Sequence, residues 1–254
     1  MPAELVLLAP DEPPPFEVVE GSAGSPYVLL CDHASRRVPR ALAELGLPER
    51  ELSRHIAWDI GAAELARRLA RELGGWLILQ SYSRLVIDCN RPPGHADSIA
   101  RRSEDTVIFG NLELSAEQVR AREAGIFEPY HARIQQELDA RAERREPSTL
   151  LFVHSFTPSY RGVSRAWHCG VLYHRDTRLA LPLLDALRRE PGLVVGDNEP
   201  YAASPLTDYG VIEHGEKRGL AHVELEVRQD LLLEASSQEA WAVRLARLVR
   251  EIRP

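Results

Sequence analysis

Apolar positions fall along the chain in two rhythms, and each predicts its own kind of element. Tyr27-Val-Leu-Leu-Cys31, Trp76-Leu-Ile-Leu-Gln80, Leu85-Val-Ile-Asp88 and Leu150-Leu-Phe-Val153 are almost continuously apolar, the pattern of strands buried on both faces. Val171-Leu172 and Leu193-Val-Val195 are shorter candidates of the same kind. Between them, Leu65, Leu69 and Leu73 lie four apart ahead of Gly74-Gly75, which predicts an amphipathic helix with a glycine stop. Ser115 and Gln118 have capping-box spacing at the head of a long amphipathic stretch, and Pro129 predicts a kink or break within it. The segment His222-Val-Glu-Leu-Glu-Val-Arg228 alternates strictly, with Val223, Leu225 and Val227 on the core face. Its polar face, His222, Glu224, Glu226 and Arg228, is either solvated or lines a cleft.

Alternation of strands and helices predicts one α/β domain over residues 1–254, a three-layer sandwich with a mostly parallel, mixed sheet. Pro10, Pro13, Pro14 and Pro15 deny helix or central strand to the start of the chain, so residues 1–20 are expected as an extended arm.

Composition narrows the partners. The chain has 254 residues, 44% of them hydrophobic, a net charge of −7 and no Lys/Arg-rich block, which argues against a nucleic-acid or anionic-membrane footprint and for a small-molecule partner. No window approaches about 18 uninterrupted apolar residues, and no secretory leader is visible. Cys31, Cys89 and Cys169 are too few for a disulfide framework, which fits a reducing, cytoplasmic setting. A homodimer is the assembly favoured by base rates.

Polar residues gather where apolar runs stop: Asp32-His33, Asp88 with Asn90-Arg91, and His154-Ser155. In open α/β sheets that is where ligands bind. His33 and His154 are candidate ligands of a catalytic zinc, which takes three protein ligands and lowers the pKa of water toward neutrality. Asp59, just ahead of the Leu65 helix, is the candidate third ligand; a plain N-cap is its structural alternative, and His55 is the competing ligand. Asn90 and Arg91 suit bidentate recognition of a substrate carboxylate, with Arg84 and Arg228 as further contributors. Ser35 and Ser155 lack a GxSxG elbow, and no phosphate-binding glycine motif is present.

Five ordered segments, Cys31-Asp-His33-Ala-Ser35 with Val38-Pro39, His55-Ile-Ala-Trp-Asp-Ile-Gly-Ala62, Tyr82-Ser-Arg-Leu-Val-Ile-Asp-Cys-Asn-Arg-Pro92, His154-Ser-Phe-Thr-Pro158 and Val223-Glu-Leu-Glu-Val-Arg-Gln-Asp230, resemble the N-formylglutamate amidohydrolase family over residues 27–235. That family is similar in fold and site order to the zinc carboxypeptidases and amino-acid deacylases. The resemblance implies that His33 and His154 bind zinc, that Asn90 and Arg91 hold the substrate carboxylate, and that Glu226 is the general base, with Glu224 as the alternative. The zinc-carboxypeptidase HxxE pair is replaced here by His33-Ala-Ser-Arg36, so the carboxylate ligand has to come from elsewhere, and Asp59 fills that place. The function so implied is metal-dependent hydrolysis of an N-formyl or other N-acyl amino acid. A peptidase or deacylase acting on another small amide and a non-catalytic ligand-binding homologue are the alternatives. His214 and Arg84 are candidates for the rim of the site, with a structural loop as the equal alternative.

Overall fold

A computed structural model describes residues 5–252. Its centre is a seven-stranded sheet made of β1 (Phe16–Val19), β2 (Tyr27–Cys31), β3 (Trp76–Gln80), β4 (Thr149–Phe156), β5 (Cys169–Leu172), β6 (Val195–Asp197) and β7 (Ala221–Arg228), in the spatial order β1-β3-β2-β4-β7-β5-β6. The pairs β3–β2, β2–β4, β4–β7 and β5–β6 are parallel; β1–β3 and β7–β5 are antiparallel. The sheet is mixed and mostly parallel, as the alternation of elements predicts.

Period-two alternation divides the strands between two cores. Leu29, Cys31, Leu77, Leu79, Leu151 and Val153 face α1 (Ala62–Leu73) and two helices that follow later in the chain, Ala180–Arg188 and Ala235–Glu251. Val28, Leu30, Trp76, Ile78, Leu150 and Phe152 face the opposite layer, where the helical stretch from Ala116 to Glu143 packs. Helices on both faces make this the three-layer α/β sandwich expected.

Four local expectations are corrected. Residues 16–19 of the expected arm pair as an edge strand with β3, because the prolines end at Pro15 and leave Phe16-Glu-Val-Val19 free to donate; residues 1–4 of that arm lie outside the described residues. Leu85-Val-Ile-Asp88 is a turn-rich loop, not a strand: Ser83 accepts from Leu85 N through Oγ and from Val86 N through its carbonyl, so the run is buried as loop core. The strand expected at Leu193–Val195 begins only at Val195. Pro129 does not interrupt the helical path, since the chain passes from Ala116–Arg122 through a π-helical turn, Glu123–Phe127, into Glu128–Glu143. The wider turn takes up the missing N–H. The capping box at Ser115 and Gln118 and the left-handed Gly74 stop form as predicted.

Gly61 precedes α1 with φ +82°, and a Cβ there would lie 2.5 Å from Leu232 Cβ. Gly61→Ala is expected to lower the unfolding free energy by about 2 kcal/mol or more, combining positive-φ strain with overpacking; denaturant titration reads this directly.

His131, on the Glu128–Glu143 helix, stacks on His214 of the π-helical turn Val211–Gly215, with ring centroids 5.2 Å apart. Burial pushes the pKa of His131 down to about 4, and burial together with the neighbouring His131 pushes that of His214 down to about 2. Unfolded histidine titrates near 6.5, so between roughly pH 6.5 and 4 the unfolded chain binds more protons and stability falls as pH falls. The loss from His131 alone by pH 4.5 is on the order of 2–3 kcal/mol. Unfolding midpoints at pH 7 and 4.5 are expected to differ less in His131→Gln than in the wild-type chain; equal differences would refute this.

Candidate active site

Parallel pairing of β2, β4 and β7 brings three distant segments to one sheet edge. His33 follows β2 by two residues, and His154 lies inside β4 rather than beyond its end. On β7, Glu226 is the register partner of His154. Only the middle of the polar face of β7 lines a cleft: Glu224 and Glu226 are both buried in its wall, while His222 and Arg228 are not part of the lining.

Asp59 joins the two histidines. Its Oδ2 lies 3.3 Å from His33 Nδ1 and 2.9 Å from His154 Nδ1. Its backbone N–H donates to the His33 carbonyl at 3.0 Å, which holds the carboxylate in place. The N-cap alternative is excluded, because the cap of α1 is Gly61 and no side chain caps that helix.

Behind each imidazole stands a second carboxylate. His33 Nε2 is 2.7 Å from Asp88 Oδ1, and His154 Nε2 is 3.3 Å from Asp32 Oδ1. Asp88 in turn accepts from Arg84 Nη2 at 2.8 Å and from Asn90 N at 2.8 Å. Arg84 also approaches Asp59, at 3.5 Å.

Burial works against charge on all these groups, and their partners decide the outcome. Burial and Arg84 oppose the charged form of His33, yet Asp88, Asp59 and Asp32 hold its pKa above the ordinary value. His154 is likewise raised against burial, by Asp32, Glu224 and Asp59. Asp59 and Asp88 are held below the usual carboxylate range despite burial, Asp59 by the two histidines and Asp88 by Arg84 and His33. Glu226 is pushed up to about 8 by burial, with His154 pulling the other way. Burial, followed by Asp208, also raises Glu224.

A divalent cation fits this donor set. Both Nδ1 atoms converge on one carboxylate oxygen, and His33 Nε2 is bonded to Asp88, the kind of carboxylate contact that orients a metal-binding histidine. Asp32 Oδ1, His154 Nε2, Glu224 Oε2 and Glu226 Oε2 are buried without a hydrogen-bond partner among the described residues. Asp32, His33 and His154 also form a compact group whose ligand atoms lie within 4.8 Å of one another. Asp88 as a backing carboxylate and Asp32 as a neighbour of the histidine pair escape sequence reasoning, although both sit in motifs that it singles out.

The cleft holds about 540 Å³. Asn90 and Arg91 line it. The Asn90 amide is held by Asp208 Oδ1 at 3.4 Å and by Gly210 N at 3.4 Å, and Arg91 Nη1 bonds the carbonyls of Asn90 and Thr207. Arg84 lines the cleft too, but its guanidinium is committed to Asp88 and Asp59. Tyr160 and Tyr201, which no sequence pattern marks, form part of the wall, and both rings lie against the Arg165 guanidinium, at 4.9 and 4.7 Å.

Three expectations about site residues change. Arg228 stands away from the cleft lining, drawn off by Asp230 and by the carbonyls of Arg165 and Trp167. His55 lines the cleft, but its Nε2 faces Glu104 at 3.5 Å rather than the histidine pair. His214 is fully buried against His131 and does not reach the rim.

Known proteins share this architecture. A gene product of Agrobacterium tumefaciens, of known crystal structure, is 33% identical, with a TM-score of 0.93 over 96% of this chain and 97% of that one. The N-formylglutamate amidohydrolase of Ralstonia eutropha JMP134 is 19% identical, with a TM-score of 0.73 over 94% and 98% of the two chains, a likeness of fold. No protein of curated function matches the chain. The sequence profile of the N-formylglutamate amidohydrolases matches residues 25–233, most of the chain and every segment that builds the cleft; the chain belongs to that family.

Proposed function

We propose that this protein is a metal-dependent amidohydrolase that cleaves the amide of an N-formyl or other N-acyl amino acid. The observation that carries this reading is the shared Asp59 Oδ2, on which His33 Nδ1 and His154 Nδ1 converge at 3.3 and 2.9 Å beside the buried Glu226. Family membership supports hydrolysis.

His33, His154 and Asp59 would hold the cation, with the unpartnered Asp32 Oδ1 within reach of the histidines and Asp88 fixing the His33 ring from behind. Two imidazoles and one carboxylate suit zinc, which when bound polarises a carbonyl and activates water. Arg91, with Asn90 beside it, receives the substrate carboxylate and so aligns the amide in the cleft. Glu226 is set next to His154 by strand register, and its carboxylate would take the proton of the attacking water and return it to the leaving amine. Glu224 lies two residues further from the strand's carboxyl end and serves less well as base.

Elemental analysis of protein purified without added metal is expected to give about one zinc per chain, lost in His33→Ala/His154→Ala. Absence of metal and no uptake on adding zinc would overturn the mechanism. With N-formylglutamate as substrate, Glu226→Gln is expected to retain the metal and lose roughly 10²–10⁴-fold in kcat. Arg91→Ala is expected to raise KM by about tenfold or more with the metal retained. A panel of N-acyl amino acids and small peptides reads the acyl preference, and hydrolysis confined to the peptides would overturn the substrate class.

A further inference from the structure

The segment from Arg84 to Arg91 supplies Arg84, Asp88, Asn90 and Arg91 to the cleft yet belongs to no helix or strand. Its carbonyls are caught instead by side chains from one stretch of chain that packs behind it. Asn111 Nδ2 donates to the Leu85 carbonyl at 2.8 Å, Arg122 Nη1 to that of Val86 at 3.0 Å, and His131 Nε2 to that of Cys89 at 2.9 Å. All three side chains are buried. The Cys89 carbonyl is the pivotal one, because it lies between Asp88, which backs His33, and Asn90-Arg91, which face the cleft.

A carbonyl only accepts, so His131 Nε2 carries the proton and, in the neutral ring, Nδ1 is bare. That bare nitrogen lies 2.9 Å from His214 Nε2, which therefore donates, leaving His214 Nδ1 buried with no partner among the described residues. An aliphatic pair would fill the space without that uncompensated nitrogen. Packing alone does not explain the histidines. Both are also tied to π-helical turns, His131 just beyond Glu123–Phe127 and His214 within Val211–Gly215, and such turns recur at functional sites. The stretch leading into the second turn meets the same loop, where Tyr209 N donates to the Asn90 carbonyl at 3.2 Å.

We propose that His131, anchored by the His214 N–H donated to its Nδ1, is a positioning residue that fixes the Cys89 carbonyl and with it the directions in which Asp88 and Asn90-Arg91 face the cleft. The kinetic part of this inference rests on the amidohydrolase reading; the conformational part does not.

Glutamine places its amide nitrogen where histidine has Nε2, and asparagine places it where histidine has Nδ1. His131→Gln thus keeps the donor to Cys89, and His131→Asn loses it. On N-formylglutamate, kcat/KM is expected to fall about tenfold or more in His131→Asn, mainly through KM, and to stay within about threefold of wild type in His131→Gln. Hydrogen exchange followed by mass spectrometry is expected to show faster exchange over residues 85–92 in His131→Asn but not in His131→Gln. Equal behaviour of the two variants in exchange would overturn the proposal, as would a kinetic loss of the same size in both. If the asparagine variant does not fold, His214→Leu carries the test: faster exchange over residues 85–92 is expected, and unchanged exchange overturns it. Should the wild-type protein hydrolyse no N-acyl amino acid, the functional reading falls, while the exchange measurement still decides the positioning role.

Discussion

The site is organised around one buried oxygen. Asp59 Oδ2 faces an imidazole on each side, and a carboxylate so deeply buried is tolerable only with compensating charge or hydrogen bonds close by. That requirement reaches outward through the molecule. It needs β2 and β4 side by side and parallel, so that His33 and His154 arrive at the same edge. It needs a tight entry into α1, supplied by Gly61, so that the carboxylate turns inward rather than capping the helix. It needs Arg84 to offset the accumulated negative charge of Asp59 and Asp88.

Much of this was legible in the sequence, for identifiable reasons. A strand buried on both faces leaves a continuous apolar run, so β2, β3 and the core of β4 stand out, and strict alternation marks β7 with its polar edge. The run Leu85–Ile87 is equally apolar and equally buried, but as the core of a loop; periodicity registers burial without saying whether neighbouring backbone is present to pair with. The histidines were legible because they stand where apolar runs end, and Asp59 because it lies just ahead of the Leu65 helix. The places of Asp32 and Asp88 beside the histidines were not, because which nitrogen a carboxylate faces depends on how the segments meet in space. The same holds for His131, which lies mid-helix and looks like any buried polar residue until Cys89 and His214 are placed around it.

Family membership and geometry contribute different things. Membership indicates a class of chemistry over residues 25–233, while the cleft shows how this chain distributes the parts. Of the three arginines singled out in the sequence, Arg84 is occupied in neutralising aspartates, Arg228 is held outside, and Arg91 is bonded only to carbonyls. A residue type at a motif position is therefore an incomplete guide to its work, and the hydrogen bonds already made determine which charges remain available.

The spatial order β1-β3-β2-β4-β7-β5-β6 also bears on how the site comes into being. His33 lies near the beginning of the chain and Glu226 near its end, and between their strands stands only β4. No earlier portion of the chain can hold the cleft together, because its last wall is a central strand made after every other segment of the cleft. Until β7 docks, β4 presents an open edge and the acidic residues beside it lack their neighbours, so the pairing is non-local and slow by nature. During synthesis the molecule thus passes from no site to a complete one in a single late step, and cleavage before residue 221 would leave no partially working fragment.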